Sequence, residues 1–444
     1  MNSDIYSNII EDMYKIYLFG IDSNYVRRNQ PINNKYTTID ETMLSVYIYL
    51  KILEKSKFQN DNKYKVIANA LIKQLVNSQT GNMGVDVENK EELDLYNRVK
   101  KDIINEKIAY MNRNLKVLKI NLEDTEEDNI FKFSEELAAL FILINIYLSG
   151  NELSYNYIEK KIEFLSKYNL DNVPNCINEI KDFITSVLPQ NLENKQNLIN
   201  CLKTHNQMRE FYNLVSVANN LMNVYRFSQS HLIIPENVMF HQYINTVMAT
   251  IIINYLHTQG EDFINKDKAL IINLFHDFGE YKGNEIISSM KSYSKESKKM
   301  YEDIEERDEN ELKNLIGNEF FNLIKQYKTD KEGYIIGIID KIIGIMKVLI
   351  EFEFYQNKNM LRMFKPDECK RFEKFYNYEK VEESKNKYFY TNLLKLHYIY
   401  IINKFLKHEE DMYIYWSKEE ILAIRDSIEK EKERLTLERL NIED

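Results

Sequence analysis

The stretch KDKALIINLFHDFGEYKGNE, residues 266–285, combines a helical pattern with a histidine–aspartate pair. Apolar residues recur at three- and four-residue spacing up to Phe275, which predicts a helix with one buried face. His276 and Asp277 place two metal-capable side chains at the end of that buried segment. An aspartate in apolar surroundings is costly unless it is paired or bound to a cation. The stretch therefore predicts a polar site carried by a helix.

The rest of the chain predicts the same all-α architecture. Only 11 Gly and 5 Pro occur in 444 residues, and neither GxGxxG nor GxxxxGK[ST] is present, which disfavours Rossmann and P-loop folds. An apolar content of 44% supports a large core and excludes disordered and disulfide-scaffold classes. Helical periodicity predicts helices over residues 41–54, 64–76, 95–120, 131–148, 156–168, 207–225, 238–256, 267–276, 298–325, 334–354, 388–407 and 418–438.

Charge and cysteine content narrow the partners and the compartment. Lys+Arg 59 against Asp+Glu 69 gives a formal charge of −10, which argues against an extended nucleic-acid surface. Three dispersed cysteines without a CxxC string suit a reducing cytosol and exclude a thiolate zinc site. The chain begins without a signal-peptide pattern, and its apolar stretch 334–350 carries charges, so we expect a cytoplasmic protein without a membrane span.

Two further polar residues lie within apolar helical patterns. His241 opens a helix in PENVMFHQYINTV, residues 235–247, and Asp340 lies inside YIIGIIDKIIGIMKVLI, residues 334–350. A lone buried aspartate is usually explained by a salt bridge, but the order His, His-Asp, Asp in three apolar helices favours one shared site. Two imidazoles and two carboxylates form a mixed nitrogen and oxygen ligand set for a divalent ion.

This order resembles the HD-domain metal-dependent phosphohydrolase superfamily, whose metal ligands match His241, His276, Asp277 and Asp340. In particular, YRFSQSHLIIPENVMFH, residues 225–241, resembles the entry segment of the bacterial HD-domain 5′-deoxyribonucleotidases, and HDFGEYKGNE resembles their HDxxE segment. The resemblance covers roughly residues 205–355. It implies that Arg226 binds phosphate, that Phe227 lines the sugar pocket, and that Glu280, together with Asp277, serves catalysis by acting on the attacking water. Asn284 stands where the family has a substrate-adjacent aspartate, so sugar and base preference stay open.

The implied activity is the hydrolysis of a small nucleotide, in particular a (deoxy)nucleoside 5′-monophosphate, by metal-activated water. One divalent ion would be required, and the ligand set does not distinguish Mn, Co, Mg, Zn, Fe or Ni. A nucleoside triphosphohydrolase or a phosphodiesterase of a nucleotide second messenger is the alternative within the enzyme class. A non-catalytic nucleotide sensor is the alternative outside it. A homodimer through the HD or C-terminal helices is a further expectation.

The N-terminal half resembles an eroded copy of the same domain. Three helical blocks align, and the interval between the second and third is 62 residues in the first copy and 63 in the second. The alignment places Thr42 on His241, Lys73-Gln74 on His276-Asp277 and Glu136 on Asp340. Because the first copy lacks the metal-binding set, we expect Lys73 and Glu136 to form an ion pair in place of a metal.

The predicted organisation is a tandem of HD-domain helical bundles with C-terminal helices. A degenerate pseudo-HD domain spans residues 1–168, a linker 169–200, a catalytic HD domain 201–360 and a helical extension 361–444. The linker prediction depends on Pro174, Pro189 and many asparagines. The pseudo-domain is interpreted either as a mimic of a second subunit or as a regulatory nucleotide-binding module.

Overall fold

Helices account for the whole regular structure of the residues described in a computed structural model. These residues are 3–24, 36–57, 62–80, 90–122, 128–168, 175–226, 232–259, 264–283, 293–363 and short pieces between 404 and 433. Within them the one β feature is an antiparallel bridge between Tyr225 and Asn237. The all-α prediction is confirmed. None of the described helices is both long enough and apolar enough to cross a bilayer.

Among the described residues from 3 to 363, the structure has fourteen α-helices. They are α1 (Ser3–Asn24), α2 (Thr38–Ser56), α3 (Lys63–Thr80), α4 (Lys90–Asn114), α5 (Asn129–Leu148), α6 (Ser154–Lys167), α7 (Asn175–Asp182), α8 (Lys195–Thr204), α9 (Met208–Leu221), α10 (Val238–Thr258), α11 (Lys266–Phe275), α12 (Lys295–Ile316), α13 (Asn318–Thr329) and α14 (Lys331–Tyr355). Short 3₁₀ turns follow α11 and α14, and a π-helical turn follows α7.

Helix α10 is the centre of the fold. Every side chain from Val238 to Ile253 is buried, His241, Gln242 and Asn245 included, because this helix is largely apolar and has no charged face that would turn to solvent. It packs against α1, α2 and α3 of the N-terminal half and against α11 and α14 of the C-terminal half. A single apolar core therefore joins both halves of the chain.

Four tyrosine hydroxyls join α1, α2 and α3 to α10 or to the residues just before it, and we call this set the tyrosine seam. Tyr17 donates to Glu236, Tyr47 to Gln242 Oε1 at 3.1 Å, Tyr64 to Asn254 Oδ1 at 3.0 Å and Tyr243 to the Leu71 carbonyl at 3.1 Å. Buried hydroxyls need such partners, and each pairing also fixes the position of one helix along another. The seam thus sets how the N-terminal helices sit on α10.

Several sequence predictions are corrected by the structure. Residues 175–204, largely assigned to a loosely packed linker, form α7, α8 and two short turns, and Ile177, Phe183 and Leu198 are buried in the core. The single helix predicted over 298–325 is divided at Gly317, whose φ of +92° ends α12. Helix α1 was not predicted. The helices predicted over 388–407 and 418–438 lie mostly outside the described residues.

Gly333 allows a close approach between α13 and α14. A Cβ atom at this position would lie 2.3 Å from the carbonyl oxygen of Tyr327, which is far inside van der Waals contact. Further along α14, the Tyr327 hydroxyl lies 3.3 Å from the Cβ position of Gly337, one turn before Asp340. The two glycines therefore bring α13 against the part of α14 that carries Asp340.

Substitution of Gly333 by alanine is expected to lower the free energy of unfolding by about 1–3 kcal/mol, because the added methyl group overpacks this crossing. Gly344→Ala in the same helix is the matched control, since no atom lies within 4 Å of its Cβ position. That change is expected to raise stability by about 0.5–1 kcal/mol, because alanine is the better helix former. Urea unfolding compares the two variants, and equal effects would contradict the close approach.

Candidate active site

Three helices bring the four predicted metal ligands together. His241 lies in the first turn of α10, His276 and Asp277 follow directly after α11, and Asp340 lies in the middle of α14. One ligand atom from each of His241, His276 and Asp277 lies within 4.8 Å of the others. Asp340 Oδ1 lies 2.6 Å from His241 Nε2. Residues 99 positions apart in sequence thus meet in one cluster.

The start of α10 is fixed by its cap. Asn237 accepts a hydrogen bond from the Phe240 backbone at 2.7 Å and donates to the Met222 carbonyl at 3.1 Å. The Tyr225–Asn237 bridge runs alongside, and the Arg226 backbone donates to the Glu236 carbonyl at 2.8 Å. A capped helix start and a short antiparallel pairing therefore hold Arg226 next to the residues that precede His241.

A buried ion pair from α14 holds the segment before α10. Lys347 and Glu351 lie 3.1 Å apart and are almost fully buried. Glu351 accepts backbone hydrogen bonds from Ile233 at 3.0 Å and Ile234 at 2.9 Å, and Lys347 donates to the Ile234 carbonyl at 2.7 Å. These bonds satisfy both buried charges and attach the segment that leads to Glu236.

Both histidines are oriented so that Nε2 faces the carboxylates. His276 Nδ1 lies 2.6 Å from the Asn273 carbonyl, which can only accept, so Nδ1 carries the hydrogen. His241 Nδ1 lies 3.0 Å from Glu236 Oε1 and donates in the same way. The Nε2 atoms then face Asp340 and Asp277, the latter at 3.2 Å from His276. Metal-binding histidines usually have this arrangement, in which one ring N–H donates to a carboxylate or carbonyl and the other ring nitrogen faces the metal.

The charges of the cluster also fit a divalent cation. Burial and Arg226 oppose protonation of His241, but its hydrogen bonds to Asp340 and Glu236 outweigh them and raise its pKa to about 9. Burial alone would raise the pKa of Asp340, yet His241 holds it well below its usual range. The cluster thus stabilises positive charge beside the two Nε2 atoms, where a metal ion would replace protons. The residues present therefore fit a divalent metal.

Arg226 lies at the edge of the same cluster. Its Nη1 atom is 3.4 Å from Asp277 Oδ2 and 3.8 Å from Asp340 Oδ1. Burial opposes its charge, but Asp340 and Asp277 hold its pKa above the ordinary value. One fifth of the side chain stays exposed, so an anionic ligand can reach it. The position suits a guanidinium that binds phosphate.

Glu280 closes the 3₁₀ turn after Asp277, and its backbone donates to the Asp277 carbonyl at 2.9 Å. Burial and, after it, the charge of Asp277 raise the pKa of Glu280 to about 7. A carboxylate with such a pKa is suited to accept a proton near neutral pH. Phe227 and Asn284, the other predicted substrate-binding residues, lie outside the described residues.

Three residues near the cluster were missed from the sequence. Glu236 begins the string ENV, residues 236–238, shortly before His241. That string is the one sequence feature that points to Glu236, and the sequence alone predicted no role for it. Tyr17 donates a short hydrogen bond to Glu236 from α1, and no local pattern points to it. Tyr327 lies with its ring centroid 5.0 Å from that of His276. Tyr17, Glu236 and His241 form a continuous hydrogen-bonded chain that ends on Asp340.

Two of the N-terminal positions that the sequence alignment places on the ligand set are also in contact. Thr42 Oγ1 donates to Gln74 Oε1 at 3.3 Å. The predicted Lys73–Glu136 ion pair is wrong, because Glu136 pairs with Lys161 of α6. Lys73 is exposed on α3, whereas α6 packs directly against α5 and brings its lysine to Glu136.

The comparison with known families matches part of the chain. Residues 210–396 match the family model described as 5′-deoxynucleotidase YfbR-like. No curated protein and no solved structure matches the chain. The matched region contains Arg226 and all four residues of the predicted ligand set, whereas the first 209 residues lie outside it. The C-terminal region of this chain is therefore similar to the 5′-deoxynucleotidases of this family.

Proposed function

We propose that this protein hydrolyses the phosphate ester of a nucleotide, in particular of a (deoxy)nucleoside 5′-monophosphate, with one bound divalent metal ion. The observation that carries the proposal is the convergence of His241, His276, Asp277 and Asp340 beside Arg226. The match of residues 210–396 to a 5′-deoxynucleotidase family supports the substrate class.

The four ligand residues would hold the ion, which supplies Lewis acidity toward a phosphoryl oxygen and water. Arg226 binds the phosphate through paired N–H donors and orients it toward the cluster. Glu280 accepts a proton from the attacking water. The water oxygen forms a bond to phosphorus, the ester P–O bond breaks, and the nucleoside leaves with its hydroxyl once that oxygen is protonated.

The cationic groups favour a monophosphate over a triphosphate. Among the described residues, Arg226 is the one arginine or lysine that pairs with Asp277 or Asp340. A triphosphate carries several negative charges and is normally bound by several cationic groups. One guanidinium and one divalent ion match the charge of a single phosphate group.

Phosphate release from a nucleotide panel tests the function. Deoxyribo- and ribonucleoside monophosphates, triphosphates and cyclic nucleotides are each incubated with Mn²⁺, Co²⁺ or Mg²⁺, and the products are identified. We expect orthophosphate from monophosphates, loss of activity with EDTA and recovery on return of the metal. Triphosphate or a linearised nucleotide as the product would instead indicate the triphosphohydrolase or the phosphodiesterase. Release that EDTA leaves unchanged would overturn the proposal.

The rate is expected to rise with pH across a step at or below pH 7, because Glu280 accepts a proton only when ionised and its pKa is raised to about 7. A bound cation next to Asp277 favours the carboxylate, so it moves the midpoint down and not up. Glu280→Gln should lower kcat by about 10²–10⁴-fold and abolish the step. The measurement is kcat/KM between pH 5 and 9, and an unchanged profile in the variant contradicts the assignment.

A further inference from the structure

A second pocket lies in the N-terminal half, and none of its described lining residues belongs to the candidate active site. Its volume is about 260 Å³. The first turn of α2, the middle of α5 and one face of α6 form its walls. The lining residues are Tyr36, Thr37, Glu41, Ala139, Ile142, Leu143, Tyr157, Lys160, Lys161 and Phe164. We call this the α2–α5–α6 pocket.

Two walls of the pocket, α2 and α5, are the helices that the sequence alignment places on α10 and α14. Helix α2 aligns with α10, and both have side-chain caps, Thr37 and Asn237. Glu41, which lines the pocket, directly precedes Thr42, the residue that the alignment places on His241. Ala139 of the pocket lies one turn beyond Glu136, the residue aligned with Asp340.

Two lysines, Lys160 and Lys161, bring positive charge to the lining of this pocket. The Lys161 ammonium pairs with Glu136, and its Nζ lies 5.5 Å from the centroid of the Phe164 ring. Lys160 lines the same pocket and is exposed. The Glu41 carboxylate also lines the pocket and Glu136 is paired with Lys161, so exposed Lys160 is the ammonium group that we expect to bind an anionic group there without a metal ion. Without the His–Asp ligand set, the pocket has no means to activate water.

The rest of the lining suits a flat aromatic ring. Three aromatic side chains, Tyr36, Tyr157 and Phe164, line the pocket, and Phe164 is 51% exposed although it is a large apolar residue. Aromatic side chains stack on any nucleobase. Small-molecule sites span roughly 300–1,000 Å³, so a pocket of about 260 Å³ suits one compact ligand and not an oligonucleotide.

We propose that the α2–α5–α6 pocket binds a mononucleotide without a metal ion and without hydrolysing it. The aromatic residues hold the base, and Lys160 holds the phosphate. The choice of a nucleotide as ligand rests on the proposed function of the C-terminal half. Tyr47 of α2 contacts that half, because its hydroxyl lies 3.1 Å from both the side-chain oxygen of Gln242, the neighbour of His241, and the Leu274 carbonyl oxygen.

Binding in EDTA isolates this pocket from the active site. Equilibrium dialysis with labelled deoxyadenosine and deoxyguanosine monophosphates uses the full chain carrying Arg226→Ala and Asp277→Asn, which removes the phosphate clamp and a metal ligand. We expect about one nucleotide per chain to remain bound. Adding Lys160→Glu or Phe164→Ala should weaken that binding at least about tenfold, as loss of a charge-assisted contact or a stacking ring does. Both residues are exposed, so these changes leave the fold intact.

Lys167→Glu is the matched control, because this lysine lies on the same helix, is 72% exposed and pairs with Glu163 outside the pocket. It should leave binding unchanged. Absence of bound nucleotide in EDTA, together with normal phosphate release by the wild type, would overturn this inference and leave the proposed function standing. Binding that responds to Lys160 and Phe164 in a protein that releases no phosphate would support the inference and overturn the function.

Discussion

Asp277→Asn is expected to reduce phosphate release by at least about 10²–10³-fold and to remove the bound metal ion. The amide keeps the size of the carboxyl group but loses its charge. Asp277 Oδ2 lies 3.2 Å from His276 Nε2 and 3.4 Å from Arg226 Nη1, so the exchange removes the charge that both contacts share. Mass-spectrometric metal content and kcat for a deoxynucleoside monophosphate are the two readouts.

Asp267→Asn is the matched control for this exchange. It makes the same chemical change in the first turn of the same helix, α11, which ends just before the cluster. We expect it to leave metal content and rate near those of the wild type. A folded Asp277→Asn protein that retained both its metal and its rate would show that the cluster is not the catalytic centre.

Tyr17→Phe is expected to weaken metal binding by about 10–100-fold, which is the usual effect of losing a partner behind a metal ligand. The Tyr17 hydroxyl donates to Glu236, and Glu236 accepts from His241 Nδ1 at 3.0 Å. Without the hydroxyl, one oxygen of a fully buried carboxylate loses its donor, and Glu236 is free to turn away from the imidazole. Titration of the metal-free protein with Mn²⁺ measures the affinity.

Tyr14→Phe separates positioning from simple stability. This tyrosine also lies on α1, and its hydroxyl donates to Glu353 at 3.2 Å, away from His241. We expect its loss to leave metal affinity unchanged. Tyr17→Phe should in addition lower the unfolding free energy by about 1–3 kcal/mol, the cost of an unsatisfied buried group. A destabilised Tyr17→Phe protein with wild-type metal affinity would reduce Tyr17 to a packing role.

Local patterns were enough to predict the helices that carry the metal ligands. His241, Asp277 and Asp340 each stand out because a polar group interrupts an apolar helical period, and that period is visible in a single segment. The division at Gly317 was missed for a related reason, since one glycine inside a helical pattern does not by itself reveal a left-handed backbone.

Contacts between distant segments could not be predicted in the same way. Tyr17 and Glu236 are 219 residues apart, and nothing in either segment specifies the other. The choice of Lys161 over Lys73 as the partner of Glu136 depends on which helix packs on α5, a property of tertiary structure alone. Sequence therefore predicted the chemistry of the cluster, and the structure added the residues that orient it.

The tyrosine seam has a consequence for how the chain reaches its native state. During synthesis, α1, α2 and α3 leave the ribosome long before α10, the helix they pack against, has been made. Their apolar faces stay exposed until α10 has been synthesised, and contacts between residues this far apart in sequence form slowly. We expect the halves to unfold as one cooperative unit, and an isolated N-terminal fragment to aggregate, because the apolar faces that pack on α10 would then be exposed to solvent.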